Sequence, residues 1–193
     1  MKKELIYIFM FGIVIVIILF FLTVDNKKNI AIISDGNHNE IYKEDMKIYL
    51  NNNYKNKISL IYDDFIIDNI TAKEFYNLII NNSKIKENSL SIKQIISKSD
   101  SIIISIGNYE LNMNSNIKLY LYYMEKIIIE IKKNGYSDIL LIGAYSNKKN
   151  LNIVNQDLEN LSNKYDITFV NPDSYMESSN KLYEKIGLEI FGK

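Results

Sequence analysis

Hydrophobic positions along the chain follow two rhythms. Short and nearly unbroken apolar runs at 30–34 (IAIIS), 58–62 (ISLIY), 101–106 (SIIISI), 138–142 (DILLI) and 167–170 (ITFV) have the pattern of strands buried on both faces. Between them, amphipathic stretches near 40–51, 71–81, 90–98, 116–133, 151–163 and 180–191 predict helices. In the fourth of these, Ile117, Leu121, Met124, Ile128 and Ile131 recur every three or four residues, an apolar stripe to lay against a sheet. Gly135 stands where a left-handed cap would close that helix, and Asn51, Asn52 and Asn53 read as the end of the first helix. Strand and helix in alternation predict an α/β domain with a five-stranded parallel sheet covered on both faces. Such sheets carry their chemistry at the carboxyl ends of the strands, here after Ser34, Tyr62, Ile106, Ile142 and Val170.

A different pattern precedes the domain. Residues 5–24 (LIYIFMFGIVIVIILFFLTV) carry no charge, and twenty residues in a helix span roughly 30 Å, the thickness of a bilayer core. The run is longer than the apolar part of a signal peptide and ends without a small-x-small cleavage pattern. It therefore reads as a retained transmembrane anchor, with 1–28 the anchor and a short juxtamembrane linker and 29–193 one folded domain. Lys2 and Lys3 precede the span, whereas Lys27 and Lys28, offset by Asp25, follow it. This slight bias predicts a single-pass cell-membrane protein with its domain outside the cytoplasm.

Composition narrows the chemistry. The 193 residues include 23 Lys+Arg, all of them Lys, against 23 Asp+Glu, with one His and no Cys. Without cysteine there is no disulfide, thiolate nucleophile or Cys-ligated zinc, and a lone His38 leaves little for a metal site. Without arginine the bidentate fork that reads phosphates and guanines is missing, so no nucleic-acid partner is expected. The loop Asp35-Gly36-Asn37-His38-Asn39 holds one glycine and neither a Gly-x-Gly-x-x-Gly nor a P-loop lysine, so no cofactor is expected either.

The blocks at the strand ends, IAIISDGNH, SDSIIISIGNYELN, DILLIGAYS and ITFVNPDSYM followed by NKLYEKIGLEIF, together resemble the SGNH/GDSL hydrolase family in order and spacing over residues 30–191. The resemblance implies a flavodoxin-like three-layer fold and an ancestry among esterases, lipases and acyl or acetyl hydrolases. It also implies where each catalytic group would stand. The family's Gly-Asp-Ser block aligns with Ser34-Asp35-Gly36, so the nucleophile slot holds Gly36. The second block, whose glycine donates an oxyanion N–H in the family, aligns with 65–71, which has no glycine; Asp68 or Asn69 would stand in. The Gly-x-Asn-Asp block aligns with Gly107-Asn108-Tyr109-Glu110, placing Tyr109 in the donor slot and Asn108 one residue out of register. The Asp-x-x-His block aligns with Asp173-x-x-Met176 or Ser174-x-x-Glu177, and neither contains the histidine.

Two further arrangements of residues come from the sequence itself. Ser34, at the strand end, and His38, four residues on in the first loop, could form a displaced nucleophile and base. Asp35 and Glu110 could meet across neighbouring strand ends, for acid/base work, to hold a hard cation such as Ca²⁺ or Mg²⁺, or simply to cap helices and bind the loop backbone. The tyrosines Tyr120, Tyr122 and Tyr123 read as a core edge with hydroxyls in water or as a binding face. The leading expectation is a membrane-anchored pseudohydrolase with a binding role, its partners the bilayer through 5–24 and an envelope glycan, an acyl ligand or a protein. An active tethered ester or acetyl hydrolase, or a flavodoxin-like small-ligand domain, are the alternatives.

Overall fold

A computed structural model of the chain describes residues 10–11, 13–15, 27–36, 41–113, 115–135, 138–145, 151–175 and 179–192. Five strands, β1 (Lys28–Ser34), β2 (Ile58–Ile66), β3 (Ser101–Ser105), β4 (Asp138–Ile142) and β5 (Thr168–Val170), make one sheet in the order β2-β1-β3-β4-β5. Every pairing is parallel. Seven α-helices lie among the described residues from β1 onward: α1 (Ile41–Tyr54), α2 (Ala72–Ile80), α3 (Ile92–Lys98), α4 (Asn108–Asn112), α5 (Ile117–Lys133), α6 (Leu151–Tyr165) and α7 (Ser179–Phe191).

Strand alternation divides the core in two. Ala31, Ile33, Ile102, Ile104, Ile139 and Leu141 face α2, α3, α5 and α6. Ile30, Ile32, Ile103, Leu140 and Ile142 face α1 and α7. The central strands therefore need apolar residues at every position, which is why they read as unbroken runs. The stripe on α5 behaves as its spacing predicts: Met124, Ile128 and Ile131 are buried, with Ile117 and Leu121 packed at the margin.

Four local expectations are corrected. β2 does not end at Tyr62 but runs through Asp63 and Asp64 to Ile66. As an edge strand it leaves Ser59 and Leu60 exposed, so two acidic residues can turn to water and pair with Lys47 at 2.6 Å and Lys86 at 4.0 Å. The register slips between Ala31/Ile33, opposite Tyr62 and Phe65, as a bulge on that edge would require. The asparagines at 51–53 continue α1 rather than ending it, Asn53 bonding back to the Tyr49 carbonyl at 2.9 Å. The stretch after β3 contains the short helix α4, which no periodicity announced. Tyr120 is core, not edge: it is 1% exposed and its hydroxyl donates to the Ile106 carbonyl at 2.8 Å.

The expected span at 5–24 lies largely outside the described residues. Within it, residues 10–11 and 13–15 are helical, and Met10, Phe11, Ile13, Val14 and Ile15 are exposed. Among the described residues no helix is long and apolar enough to cross a membrane.

Candidate functional site

The carboxyl ends of the strands converge around Asp35, the residue after β1, which is 0% exposed. Its Oδ2 accepts from the Gly107 N–H and the Tyr109 N–H, both at 2.9 Å. Those two amides open α4, where unpaired N–H groups and the helix dipole favour a negative partner. Its backbone is used as well: the Asp35 N–H donates to the Ser105 carbonyl and the Asp35 carbonyl accepts from the Asn69 N–H at 2.9 Å. Asp35 thus joins the ends of β1, β2 and β3.

Glu110, on α4, repeats the device one layer out. Its Oε2 accepts from the Ala72 N–H at 2.7 Å, at the first residue of α2, whose Thr71 and Glu74 also form a reciprocal cap. Burial raises the Glu110 pKa above the usual carboxylate value; the Ala72 N–H opposes this, and the nearby Asp35 and Glu74 add to it. Both acids therefore serve backbone amides, which is the capping alternative read from the sequence. Among the described residues no cluster of three or more potential metal ligands forms.

Gly36, which the sequence resemblance aligns with a nucleophile, has Asp68 close above it. Gly36 has φ +68°, a left-handed conformation that suits glycine. A Cβ built on it would lie 2.0 Å from Asp68 Oδ1 and 3.0 Å from Asp68 Cα. Asn69 follows at φ +62°, taking a backbone shape usually given to glycine but tolerated by asparagine, and its N–H is the one bound to the Asp35 carbonyl. The glycine missing from the second block is thus replaced in conformation by Asn69 and in space by Asp68. Ser34, 6% exposed, accepts from the Gly36 N–H at 3.2 Å, a local turn contact that directs its oxygen toward the backbone. His38, its proposed partner, lies outside the described residues.

The third and fourth strand ends are held by amides. Asn108, 1% exposed, accepts from the Tyr145 N–H at 2.6 Å. Asn155, from α6, accepts from the Ala144 N–H at 2.9 Å and donates to the Ala144 carbonyl at 3.1 Å and toward Asn171 at 3.4 Å. Gly107, at φ +127°, lies so close to Tyr120 that a Cβ would come within 2.5 Å of its hydroxyl. The Tyr120 pKa is raised well above the usual phenol value by burial, with Asp35 and Glu110 adding to the effect. Tyr109, in the family's donor slot, is half-buried, and Asp173 lies in the single turn Pro172–Tyr175 after β5. Met176 and Glu177 are outside the described residues. Asn155 escaped the sequence reading, and Asp68 was read there only as a possible N–H donor, not as the side chain over Gly36; the one signal for Asn155 was its place in the stripe Leu151, Val154, Leu158, where an amide is out of character.

A cavity of about 320 Å³ lies at the other end of the sheet, lined by Ser101, Asp138, Leu140, Thr168, Glu189 and Ile190 among others. It borders the amino ends of the strands and so shares no residue with the site around Asp35.

Two outcomes follow from these contacts. Asp35→Ala strands two buried N–H groups that had charge-assisted partners, and should lower the unfolding free energy by about 3 kcal/mol in urea melts. For Glu110, the folded state holds the proton more tightly than the unfolded chain, so its contribution is full below the unfolded pKa and is lost as pH rises through the raised folded value. Glu110→Gln should therefore flatten that slope: wild type loses stability relative to the variant between about pH 4 and neutrality, checked by melts at both ends of that window.

No family model matches the chain and no curated protein matches it. Solved structures do. AlinE4, described as an SGNH-hydrolase family esterase, is similar at 17% identity and a TM-score of 0.55, covering 75% of this chain and 75% of that one. TesA is similar at 6% identity and a TM-score of 0.55 over 74% of this chain and 77% of its own. The psychrotrophic esterase EstA from Pseudoalteromonas sp. is similar at 9% identity and a TM-score of 0.57, with 86% of this chain and 96% of that chain covered. With its parallel sheet, its strand order and these likenesses together, the domain has the fold of the SGNH/GDSL hydrolases.

Proposed function

We propose that the chain is a membrane-tethered, hydrolytically silent domain of the SGNH fold that works by binding in the inherited cleft. One observation carries this reading: at the nucleophile position stands Gly36, in a left-handed conformation with the Asp68 carboxylate where a side chain would begin. The surrounding donors point the same way. An oxyanion must be met by N–H groups free to receive it, yet those of Gly107, Tyr109 and Asn69 are bound to Asp35. The rival reading, Ser34 as a displaced nucleophile, requires its hydroxyl to approach a substrate. Ser34 is nearly buried and its oxygen is engaged by the Gly36 N–H.

The tether rests on the uncharged run 5–24 and on the exposed apolar side chains of Met10, Phe11, Ile13, Val14 and Ile15, which water would not favour. With the domain outside the cytoplasm, the ligands open to such a cleft are an envelope glycan, an acyl group or a partner protein.

A fluorophosphonate, which labels activated serines, tests the silence directly by intact mass. No adduct is expected on the folded wild type or on Gly36→Ser; a stoichiometric adduct on either would overturn the reading. Gly36→Ser should also lower stability by about 1–3 kcal/mol, through left-handed strain and the Asp68 contact. Adding Asp68→Gly should recover part of that loss, a coupling read by a double-mutant cycle; strict additivity would mean that Asp68 does not close the slot.

A further inference from the structure

The apolar run ends at Val24 and β1 begins at Lys28. Four peptide steps reach at most about 14 Å even when fully extended. Because all five strands are parallel, their amino ends share one pole of the domain, and the tether leaves from that pole. Its exit is clamped: Lys28 Nζ donates to Asp138 Oδ2 at 3.1 Å and to the Ile190 carbonyl at 2.8 Å, and Asn29 exchanges bonds with Asp100 at 2.7 Å. No slack can be drawn from the sheet without breaking these contacts. The seven residues of β1 then carry the chain about 20 Å to Asp35 at the opposite pole.

The two lengths decide the orientation. Turning the domain over to bring the Asp35–Gly36 cleft to the lipid would require the tether to run back along the full height of the sheet, which exceeds its reach. We propose that the cleft faces away from the bilayer, so that it draws its ligand from the aqueous side and the acyl chains of the anchoring membrane lie beyond its reach. The proposal rests on the tether proposed above and removes the anchoring membrane as the source of the acyl ligand named there.

The absence of cysteine makes a direct test simple. In the full chain in lipid nanodiscs, a single cysteine is placed at Asn56→Cys, exposed just before β2, or at Met113→Cys, 64% exposed just after α4. Each carries a fluorophore, and the discs are made with or without a lipid bearing a headgroup nitroxide. The Asn56 label should lose about two-fold or more of its intensity to the nitroxide and the Met113 label almost none, given their separation along the sheet. Equal quenching at both sites, or stronger quenching at Met113, would overturn the orientation while leaving the tether intact. Failure of the chain to co-elute with the discs would overturn the tether, and the orientation with it.

Discussion

Asp35 is a buried carboxylate whose Oδ2 accepts from two backbone amides. A carboxylate removed from water is tolerated only when its lone pairs are met, and here the amides that open α4 meet them. This contact fixes the turn after β3, and with it the position of Glu110, whose own carboxylate reaches the start of α2. The path continues through Asn108 to the end of β4 and through Asn155 to the neighbourhood of β5. Among the described residues, side chains bonded to main chain thus link the strand ends at this pole.

That linkage bears on chemistry. Hydrolysis needs a nucleophile that reaches outward and N–H groups left free for a developing charge. Among the described residues, the N–H groups of Gly107, Tyr109 and Asn69 are bonded to Asp35. Asp68 over Gly36 completes the change, since an open nucleophile slot would need both a side chain on one residue and space above it. At this pole of the sheet, described side chains brace the strand ends through main-chain bonds. The parallel topology adds a direction: the pole nearest the apolar run and the pole that carries Asp35 and Gly36 are opposite ends of the same strands.

Much of the fold was legible in the sequence because it depends on period alone. The unbroken apolar runs of β1, β3 and β4 mark strands covered on both faces, and the stripe on α5 marks a helix covered on one. The departures in the catalytic blocks were legible too, since Gly36 and the missing histidine are matters of identity. Less visible was anything set by an edge or an exception. β2 passes through two aspartates because it borders solvent, which a local pattern cannot show, and α4 is too short for periodicity to register.

What the sequence determined by itself was the layering and the order of elements, for each follows from residue type and spacing along one dimension. What only the tertiary structure decided was the use of the polar residues that remain. Whether Asp35, Glu110 and Asn108 face a ligand or a backbone amide depends on which strand ends lie side by side. That Asp68 fills the place above Gly36 depends on β1 and β2 being neighbours in the sheet. Hydrogen bonds are directional and short, so such roles are settled by distances between segments far apart in the chain.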